Sequence, residues 1–163
     1  MARHRAIVCF HSPIGGIEVE AAPAGVTRVR LRVSARERVV GEGPALDHAT
    51  QARDEISAYF LGKLRIFTVT YTLEGTPFQR ATWEELAAIP YGKRISYGEL
   101  AVRVGRPRSA RAIGAACRAN PVPLLIPCHR VVAGNGALRG FGAGLPVKEA
   151  LLDLETRFAA PGA

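Results

Sequence analysis

The sequence predicts an α+β protein in which a small antiparallel sheet with one helix is followed by a mostly helical part. Short β-branched runs interrupted by glycine and proline fill the first part of the chain, as in β-hairpins. From Gly75 onward, apolar residues recur at helical spacing behind residues that favour helix starts. The 163 residues, 48% of them hydrophobic, suffice for two small cores. We therefore expect two domains, residues 1–74 and 75–163, of which the first supports the second.

The N-terminal part alternates short strands and turns. Three strands are predicted, over residues 6–11, 17–21 and 26–33. In the third, Val29, Leu31 and Val33 alternate with arginines, as in a strand that has one face in water. Residues 46–61 have apolar positions at helical spacing, and residues 66–73 are rich in apolar and β-branched types. The sequence therefore predicts a helix over the sheet and a further strand after it.

Four helices are predicted in the C-terminal part from their start and stop signals. Thr76 and Ser96 are each followed three residues later by Gln or Glu, which is the pattern of a capping box. Pro90 ends the first of these helices, and Gly105 ends the second. The last two helices are predicted over residues 109–119 and 146–158, with Ser109 as the N-cap of the third.

Basic residues dominate the second half of the chain. Residues 1–74 contain ten Lys and Arg against eight Asp and Glu, whereas residues 75–163 contain twelve against six. The net charge of +8 is thus concentrated after residue 74, and no acid occurs between Glu99 and Glu149. Such a surface suits the phosphates of a nucleic acid. An ordinary helical hairpin would have the same short helices and Gly-Pro turn, but the basic stretch favours a DNA-binding helix-turn-helix.

The three cysteines, Cys9, Cys117 and Cys128, form neither a CxxC pair nor a metal-ligand pattern. An odd count argues against a disulfide framework, so we expect reduced thiols and no metal site. The chain has no run of about 18 apolar residues, and its start has no apolar segment of the signal-peptide type. We therefore expect a cytoplasmic protein that is associated with the nucleoid when it acts and does not contact a membrane.

Cys128 is the candidate nucleophile, in the segment Pro127-Cys128-His129-Arg130. From the spacing alone, a buried and unreactive thiol is the more ordinary interpretation. Consecutive residues of a strand point to opposite faces, so His129 can act as a base for Cys128 only across a turn or through a water molecule. The prolines at positions 121, 123 and 127 make a turn the expected setting.

Six motifs after residue 74 resemble the catalytic domain of the O6-alkylguanine-DNA alkyltransferases, also called methylated-DNA–protein-cysteine methyltransferases. They occur in the order typical of that family. The motifs are Gly75-Thr76-Pro77-Phe78-Gln79, Ile89-Pro90-Tyr91-Gly92-Lys93, Ser96-Tyr97-Gly98-Glu99-Leu100-Ala101, Arg111-Ala112-Ile113-Gly114-Ala115-Ala116, Asn120-Pro121 and Pro127-Cys128-His129-Arg130-Val131. The N-terminal part resembles the family only in its β-rich character and position.

The resemblance implies a chemical role for five residues. Cys128 is the alkyl acceptor, His129 draws its proton through a water molecule, and Glu149 orients the imidazole from the last helix. Without the resemblance, Glu149 would be taken as a solvated acid at a helix start. Asn120 braces the segment around the cysteine. The hydroxyl of Tyr97 donates to N3 of guanine, where negative charge grows on the leaving base, and such a donor is most effective in a dry pocket.

The resemblance also implies how the base is reached. A base stacked in duplex DNA hides its O6 atom, so the nucleotide must be rotated out of the helix. Arg111 then takes the place of the base in the stack, and its helix enters the minor groove. Neighbouring residues are expected to lie against the DNA: Ser109, Ala110, Ala112, Gly114 and Arg118. Small residues on a helix are also typical of tight internal packing, which is the alternative interpretation.

The base pocket implied by the resemblance includes Val131, Phe141 and Gly142. Backbone groups of Cys128, Val131 and Gly142 contact the base, so these contacts need no particular side chain. Members of the family commonly have tyrosine where this chain has Phe141. The aromatic wall is kept and a hydroxyl is lost, so we expect lower efficiency or a narrower substrate range. Arg130 is expected to form structural ion pairs.

The expected reaction consumes the protein. A thioether has no good leaving group, and the sequence offers no second nucleophile, metal site or cofactor loop that would restore the thiol. The expected partner is duplex DNA that contains O6-alkylguanine; no cofactor is expected, and the protein is expected to be a monomer. Three alternatives are a non-catalytic protein that marks alkylated guanine, a cysteine hydrolase and a plain helix-turn-helix regulator.

Overall fold

A computed structural model describes residues 4–34 and 36–159 and confirms the α+β architecture expected from the sequence. The chain divides between Leu73 and Glu74 into two units, and buried apolar residues form a core in each. No helix in this described part of the chain is both long enough and apolar enough to cross a membrane.

The first unit is a four-stranded antiparallel sheet covered by one helix. The strands are β1 (Ala6–Ser12), β2 (Gly15–Ala22), β3 (Gly25–Val33) and β4 (Arg38–Val40), and the helix is α1 (Gly43–Phe60). The strand order is β3-β2-β1-β4, and Val19 on β2 lies opposite Val8 on one side and Val29 on the other. These valines are buried, and α1 packs on the same strands, so the alternation seen in the sequence places them in the core. The three predicted strands and the helix are confirmed, whereas the short edge strand β4 was not predicted.

Residues 66–73 do not form the predicted strand. In the described chain this segment contributes only one isolated parallel bridge, to Val26. The buried carboxylate of Glu55 accepts hydrogen bonds from the backbone amides of Thr68, at 2.6 Å, and Val69, at 3.3 Å. These two amides are therefore satisfied by a side chain of α1 and need no sheet partner.

Up to residue 159, where the description of the chain ends, the second unit contains four α-helices, a short 3-10 helix and a short parallel ribbon. The helices are α2 (Pro77–Ala87), α3 (Tyr97–Arg103), α4 (Ala110–Arg118) and α5 (Leu145–Ala159), and the strands are β5 (Ile95–Ser96) and β6 (Val131–Val132). All four predicted helices are confirmed. Trp83 is fully buried, and its indole nitrogen donates to the carbonyl of Ala116 at 2.9 Å, which fixes α2 against α4.

Helix ends in this unit follow the local sequence signals with one exception. Both capping boxes form, with Thr76 and Ser96 as the N-caps of α2 and α3. Gly105, with a φ of +81°, ends α3 in a Schellman motif in which Arg106 donates to the carbonyl of Ala101. Ser109 is the N-cap of α4, but its side chain makes no capping hydrogen bond, so the predicted cap is wrong in that respect.

Candidate active site

The parallel ribbon brings two distant parts of the second unit together. Ile95 on β5 lies opposite Val131 on β6, and Ser96 lies opposite Val132. Tyr97, the first residue of α3, therefore directly follows the strand that pairs with Val131 and Val132, a few residues after Cys128. Local sequence cannot specify this pairing, because the partners are separated by 36 positions.

Cys128 follows a tight turn that a buried asparagine holds in shape. Pro127 has a φ of −81° and a ψ of 64°, and the amide of Cys128 donates to the carbonyl of Ile126 at 2.8 Å, as in an inverse γ-turn. The side-chain amide of Asn120 donates to the same carbonyl at 2.8 Å, and its oxygen accepts from Val122 at 3.0 Å. Asn120 is therefore hydrogen-bonded to both ends of the loop of residues 122–126, which leads to Cys128.

The residues after this turn, Cys128 to Arg130, form a short 3-10 helix rather than a strand. His129 points into the core, where its Nε2 contacts Oε2 of Glu155 on α5. Arg130 donates to the other oxygen of Glu155 at 2.7 Å and to the carbonyl of Ile89 at 2.6 Å. The structural ion pair expected for Arg130 is thus confirmed. All three side chains are almost completely buried.

The partner of His129 is Glu155 and not Glu149, so the assignment of Glu149 is wrong. Glu149 is exposed on α5, whereas Glu155 lies on the buried face with Val147 and Leu151. The reason is the helical period: Glu155 is four residues after Leu151 and falls on the apolar stripe, and Glu149 falls outside it. This spacing was the sequence signal that could have identified Glu155.

The protonation state of this pair follows from its surroundings. Burial alone would raise the pKa of Glu155, but hydrogen bonds from His129 and Arg130, together with the positive charge of Arg130, outweigh it and lower the pKa to about 2. Burial lowers the pKa of His129 more than Glu155 raises it. At neutral pH the carboxylate is therefore charged and can only accept, so Nε2 of His129 carries the hydrogen and Nδ1 has a lone pair. Nδ1 is buried and has no hydrogen-bond partner among the described residues.

Opposing effects act on the thiol of Cys128, which is 7% exposed. Burial raises its pKa by more than the amide of Asn120 and the ammonium of Lys148 lower it, so the pKa of the thiol is raised overall. Burial and the nearby Cys128 raise the pKa of the second buried thiol of the unit, Cys117, to about 12, although the charges of Lys148 and Arg118 act in the opposite direction. The groups that favour the thiolate of Cys128 are therefore the amide of Asn120 and the ammonium of Lys148.

Tyr97 and Lys148 meet at the start of the glycine-rich loop. The hydroxyl of Tyr97 donates to the carbonyl of Arg139 at 2.9 Å, and Nζ of Lys148 donates to the same carbonyl at 2.8 Å. Burial, followed by the charges of Cys117 and Cys128, raises the pKa of Tyr97, so its hydroxyl keeps its hydrogen. Lys148, a basic residue of the second half of the chain, is fully buried.

The remaining pocket residues lie along the chain between Cys128 and α5. Val131 is fully buried on β6, Phe141 is half-buried, and Gly142 is exposed. The amide of Gly144 donates to the carbonyl of Phe141 at 2.9 Å, so the end of the loop is a turn that leads into α5. No group of three His, Cys, Asp or Glu side chains within residues 4–34 and 36–159 is arranged to hold a metal ion.

The predicted DNA-binding residues share the outer face of α4. The exposed residues are Ala110, Arg111, Ala112, Ala115 and Arg118, with Gly114 half-buried between them. The opposite face is buried and contains Ile113, Ala116 and Cys117, so the small residues predicted to lie near DNA are not used for core packing. α4 packs on α2 and α3 and has a basic residue in its last turn. The face is therefore exposed and carries the basic side chains of Arg111 and Arg118.

Comparison with known proteins shows the family. The family model described as 6-O-methylguanine DNA methyltransferase, DNA binding domain, matches residues 77–157. A methylated-DNA–protein-cysteine methyltransferase of Methanosarcina acetivorans is 38% identical over 148 residues, which cover 90% of this chain and 95% of that protein. A protein of the same name from Mycobacterium bovis is 40% identical over 151 residues, 88% of each chain.

Solved structures agree with the sequence comparison over both units. The crystal structure of Mycobacterium tuberculosis OGT in complex with DNA superposes with a TM-score of 0.82 and 38% identity, covering 94% of each chain. The crystal structure of the O6-methylguanine methyltransferase of the same organism gives a TM-score of 0.83 at 36% identity and covers 98% of this chain and 96% of that one. The chain therefore belongs to the methylated-DNA–protein-cysteine methyltransferase family, as the motifs of its second half predicted.

Proposed function

We propose that this protein repairs DNA directly by transferring an alkyl group from O6 of guanine to the sulfur of Cys128. The main support for this function is the arrangement of the Cys128 thiol, which follows a tight turn, and the neighbouring His129–Glu155 pair. Nδ1 of His129 has a lone pair that can accept a proton. Family membership supports the same reaction, since relatives at about 40% identity carry the name of this activity.

The reaction conserves atoms and charge in two linked transfers. The proton of the Cys128 thiol passes through a bridging water molecule to Nδ1 of His129, and Glu155 stabilises the imidazolium that forms. The thiolate then forms a bond to the alkyl carbon while the bond from that carbon to O6 breaks. The negative charge moves to the base, where the hydroxyl of Tyr97 donates to N3. Because the thioether cannot leave again, each molecule reacts once.

Access to O6 requires the nucleotide to leave the stack, and α4 is the element proposed to cause this. Its exposed face presents Arg111 in its first turn, flanked by Ala110 and Ala112, which allow the backbone to come close to the minor groove. Arg118 at the far end of α4 and the side chain of Ser109 are proposed to contact the phosphates. Binding should weaken as salt increases, because phosphate contacts release counterions.

The proposed location is the cytoplasm, at the nucleoid. The substrate is DNA, and the relatives compared above come from bacteria and archaea, in which DNA lies in the cytoplasm. All three cysteines are free thiols, which suits a reducing compartment. The first unit, with its own sheet and core, is proposed to support the second and not to contribute to the chemistry.

Mass spectrometry of the protein after incubation with duplex DNA containing O6-methylguanine tests the proposal. We expect one added methyl group per molecule, on the peptide that contains Cys128, and none in Cys128→Ser. Cys117→Ser is the matched control, since it removes the other buried thiol of the same unit and should leave the transfer intact. Methyl on another residue, or turnover beyond one per molecule, would exclude this mechanism. Binding of the damaged DNA without any transfer would favour a protein that only marks the lesion.

A further inference from the structure

Cys117 is a second buried thiol in the unit that contains Cys128, and the reaction proposed above does not use it. It lies near the end of α4, on the inner face of that helix, and is 8% exposed. Buried free cysteines are ordinary components of protein cores. The position of Cys117 relative to Cys128 therefore decides whether it has a chemical role.

The backbones at the two cysteines are connected through Asn120. The carbonyl of Cys117 accepts a hydrogen bond from the backbone amide of Asn120 at 3.3 Å. The side chain of Asn120 donates to the carbonyl of Ile126 at 2.8 Å, and the amide of Cys128 donates to the same oxygen at 2.8 Å. These three hydrogen bonds hold the end of α4 beside the turn that precedes Cys128.

The side chains of both cysteines lie near the ring of Tyr97. A Cβ atom at Gly114, one turn before Cys117 on α4, would lie 4.0 Å from Cε1 of Tyr97. Residues three apart are neighbours on the surface of a helix, so Cys117 lies on the side of α4 that borders this ring. Burial raises the pKa of Tyr97, and the nearby Cys117 and Cys128 raise it further. The two thiols therefore flank the tyrosine that is proposed to bind the base.

The first alkyl transfer should make Cys117 a better nucleophile. Burial and the nearby Cys128 raise the pKa of Cys117 to about 12, whereas the charges of Lys148 and Arg118 lower it. Alkylation converts Cys128 into a thioether, which cannot carry the negative charge of a thiolate. The effect of Cys128 on Cys117 then disappears, while the effects of Lys148 and Arg118 remain. The pKa of Cys117 therefore falls once Cys128 has reacted, and a larger fraction of Cys117 is thiolate.

We propose that Cys117 is a second alkyl acceptor, which acts when the group on O6 of guanine carries a second leaving group, as a haloalkyl chain does. Cys128 first takes the chain from O6 as described above. The thiol of Cys117 then loses its proton to water, and its sulfur forms a bond to the carbon that carries the halogen. The halide leaves with the electron pair of the carbon–halogen bond. The product is a dithioether in which one alkylene chain joins Cys117 and Cys128.

This second step rests on the proposed function and extends it to bifunctional lesions. Because the first transfer holds the chain in the pocket, the second displacement takes place within one molecule and at a high effective concentration of thiol. The bridge keeps the electrophilic end of the chain away from DNA and from other proteins. It does not restore the thiol of Cys128, so each molecule still acts once.

Mass spectrometry after incubation with duplex DNA containing O6-(3-chloropropyl)guanine tests this inference. We expect wild type to gain one propylene group without chlorine. Trypsin cleaves after Arg118, so the bridge should appear as two peptides, one with Cys117 and one with Cys128, joined by that group. A chain on Cys128 of wild type that keeps its chlorine would overturn the inference.

Cys117→Ser should accept the chain on Cys128 at the wild-type rate and should keep the chlorine. Loss of chloride should be at least about tenfold slower in this variant than in wild type, because only solvent is left to displace it. Equal rates of chloride loss in the two proteins would overturn the role of Cys117. Cys117→Ala replaces the variant if a hydroxyl at this buried position prevents folding. Cys9→Ser, which removes the buried thiol of the first unit, is the matched control and should form the bridge as wild type does.

Glutathione added in excess gives a second measurement. Wild type should still form the bridge, whereas Cys117→Ser should form a glutathione adduct at the end of the chain if that end is open to solvent. A glutathione adduct on wild type in place of the bridge would overturn the inference. Duplex O6-methylguanine, assayed in parallel, separates the two proposals. Failure of wild type to accept methyl would refute the proposed function, whereas methyl transfer without the bridge would refute only the second step.

Discussion

Oε2 of Glu155 is hydrogen-bonded to Nε2 of His129, which lies 26 residues earlier in the chain. The other oxygen of the same carboxylate accepts from Arg130 at 2.7 Å and from the backbone amide of Gly92 at 3.0 Å. One side chain of α5 therefore connects the 3-10 helix that contains Cys128 with the turn that follows α2. With three donors around it, the carboxylate fixes the imidazole before any DNA is bound.

Replacing Glu155 with glutamine should impair both activity and stability. The amide cannot balance the charge of Arg130 or accept fully from His129, and removing one partner from a buried ionic network costs about 3–5 kcal/mol. Loss of the group that orients a general base should slow alkyl transfer by about a hundredfold. Rates on duplex O6-methylguanine and urea unfolding measure the two effects. Glu149→Gln is the matched control on the same helix, and a loss of activity there instead would restore the assignment made from sequence.

The stability of the protein should depend on pH through the same carboxylate. The pKa of Glu155 is about 2 in the folded protein and 4.5 when unperturbed, so the unfolded chain takes up this proton first as the pH falls. Its contribution, about 3 kcal/mol, is therefore fully present above pH 4.5 and is lost as the pH approaches 2. His129, whose pKa burial lowers from 6.5, acts in the same direction.

Urea unfolding followed by the fluorescence of the single tryptophan, Trp83, at several pH values between 3 and 7 measures this dependence. Glu155→Gln should be less stable than wild type at neutral pH and lose less stability on acidification. Parallel curves for the two proteins would show that other groups cause the acid sensitivity.

Removing the side chain of Asn120 should loosen the turn that carries the thiol. Asn120→Ala leaves the amide of Val122 and one acceptor site of Ile126 unsatisfied in the core, which should cost about 2–4 kcal/mol. The thiol should also become less reactive, because the asparagine amide lowers the pKa of Cys128. In Asn135→Ala the lost hydrogen bond, to the amide of Ala137, is exposed, so a loss below about 1 kcal/mol is expected. Comparable losses of stability at both positions would contradict the bracing role.

Substitution of Arg111 should separate base rotation from chemistry. Arg111→Ala removes the side chain proposed to fill the gap in the stack, so transfer from duplex O6-methylguanine should slow by about tenfold or more. Reaction with free O6-benzylguanine needs no rotation and should keep its rate. Arg28→Ala, at an exposed position of β3, should change neither. Equal losses on the duplex and on the free base would rule out this role for Arg111.

Elements with strong local signals were predicted well. The capping boxes at Thr76 and Ser96 and the glycine at 105 lie within a few residues of the helix ends they determine, so the sequence contains the whole signal. The strand expected at residues 66–73 was wrong, and Glu55, more than ten positions earlier, satisfies the amides of Thr68 and Val69 that a strand would have paired. The hydroxyl of Ser109 was expected to cap α4 and does not, although the helix begins where predicted.

The sequence by itself determined the family, the order of the helices and the basic second half, and it singled out Cys128 as the candidate nucleophile, because each is encoded in neighbouring residues or in a motif of fixed spacing. Only the tertiary structure decided which acid faces His129, which carbonyl Tyr97 and Lys148 share, and which face of α4 is open. These are contacts between residues far apart in the chain. They depend on how the helices and the β5–β6 ribbon pack. Hydrogen bonds and buried charges act over short distances in space, and the spacing of residues along the sequence does not determine those distances.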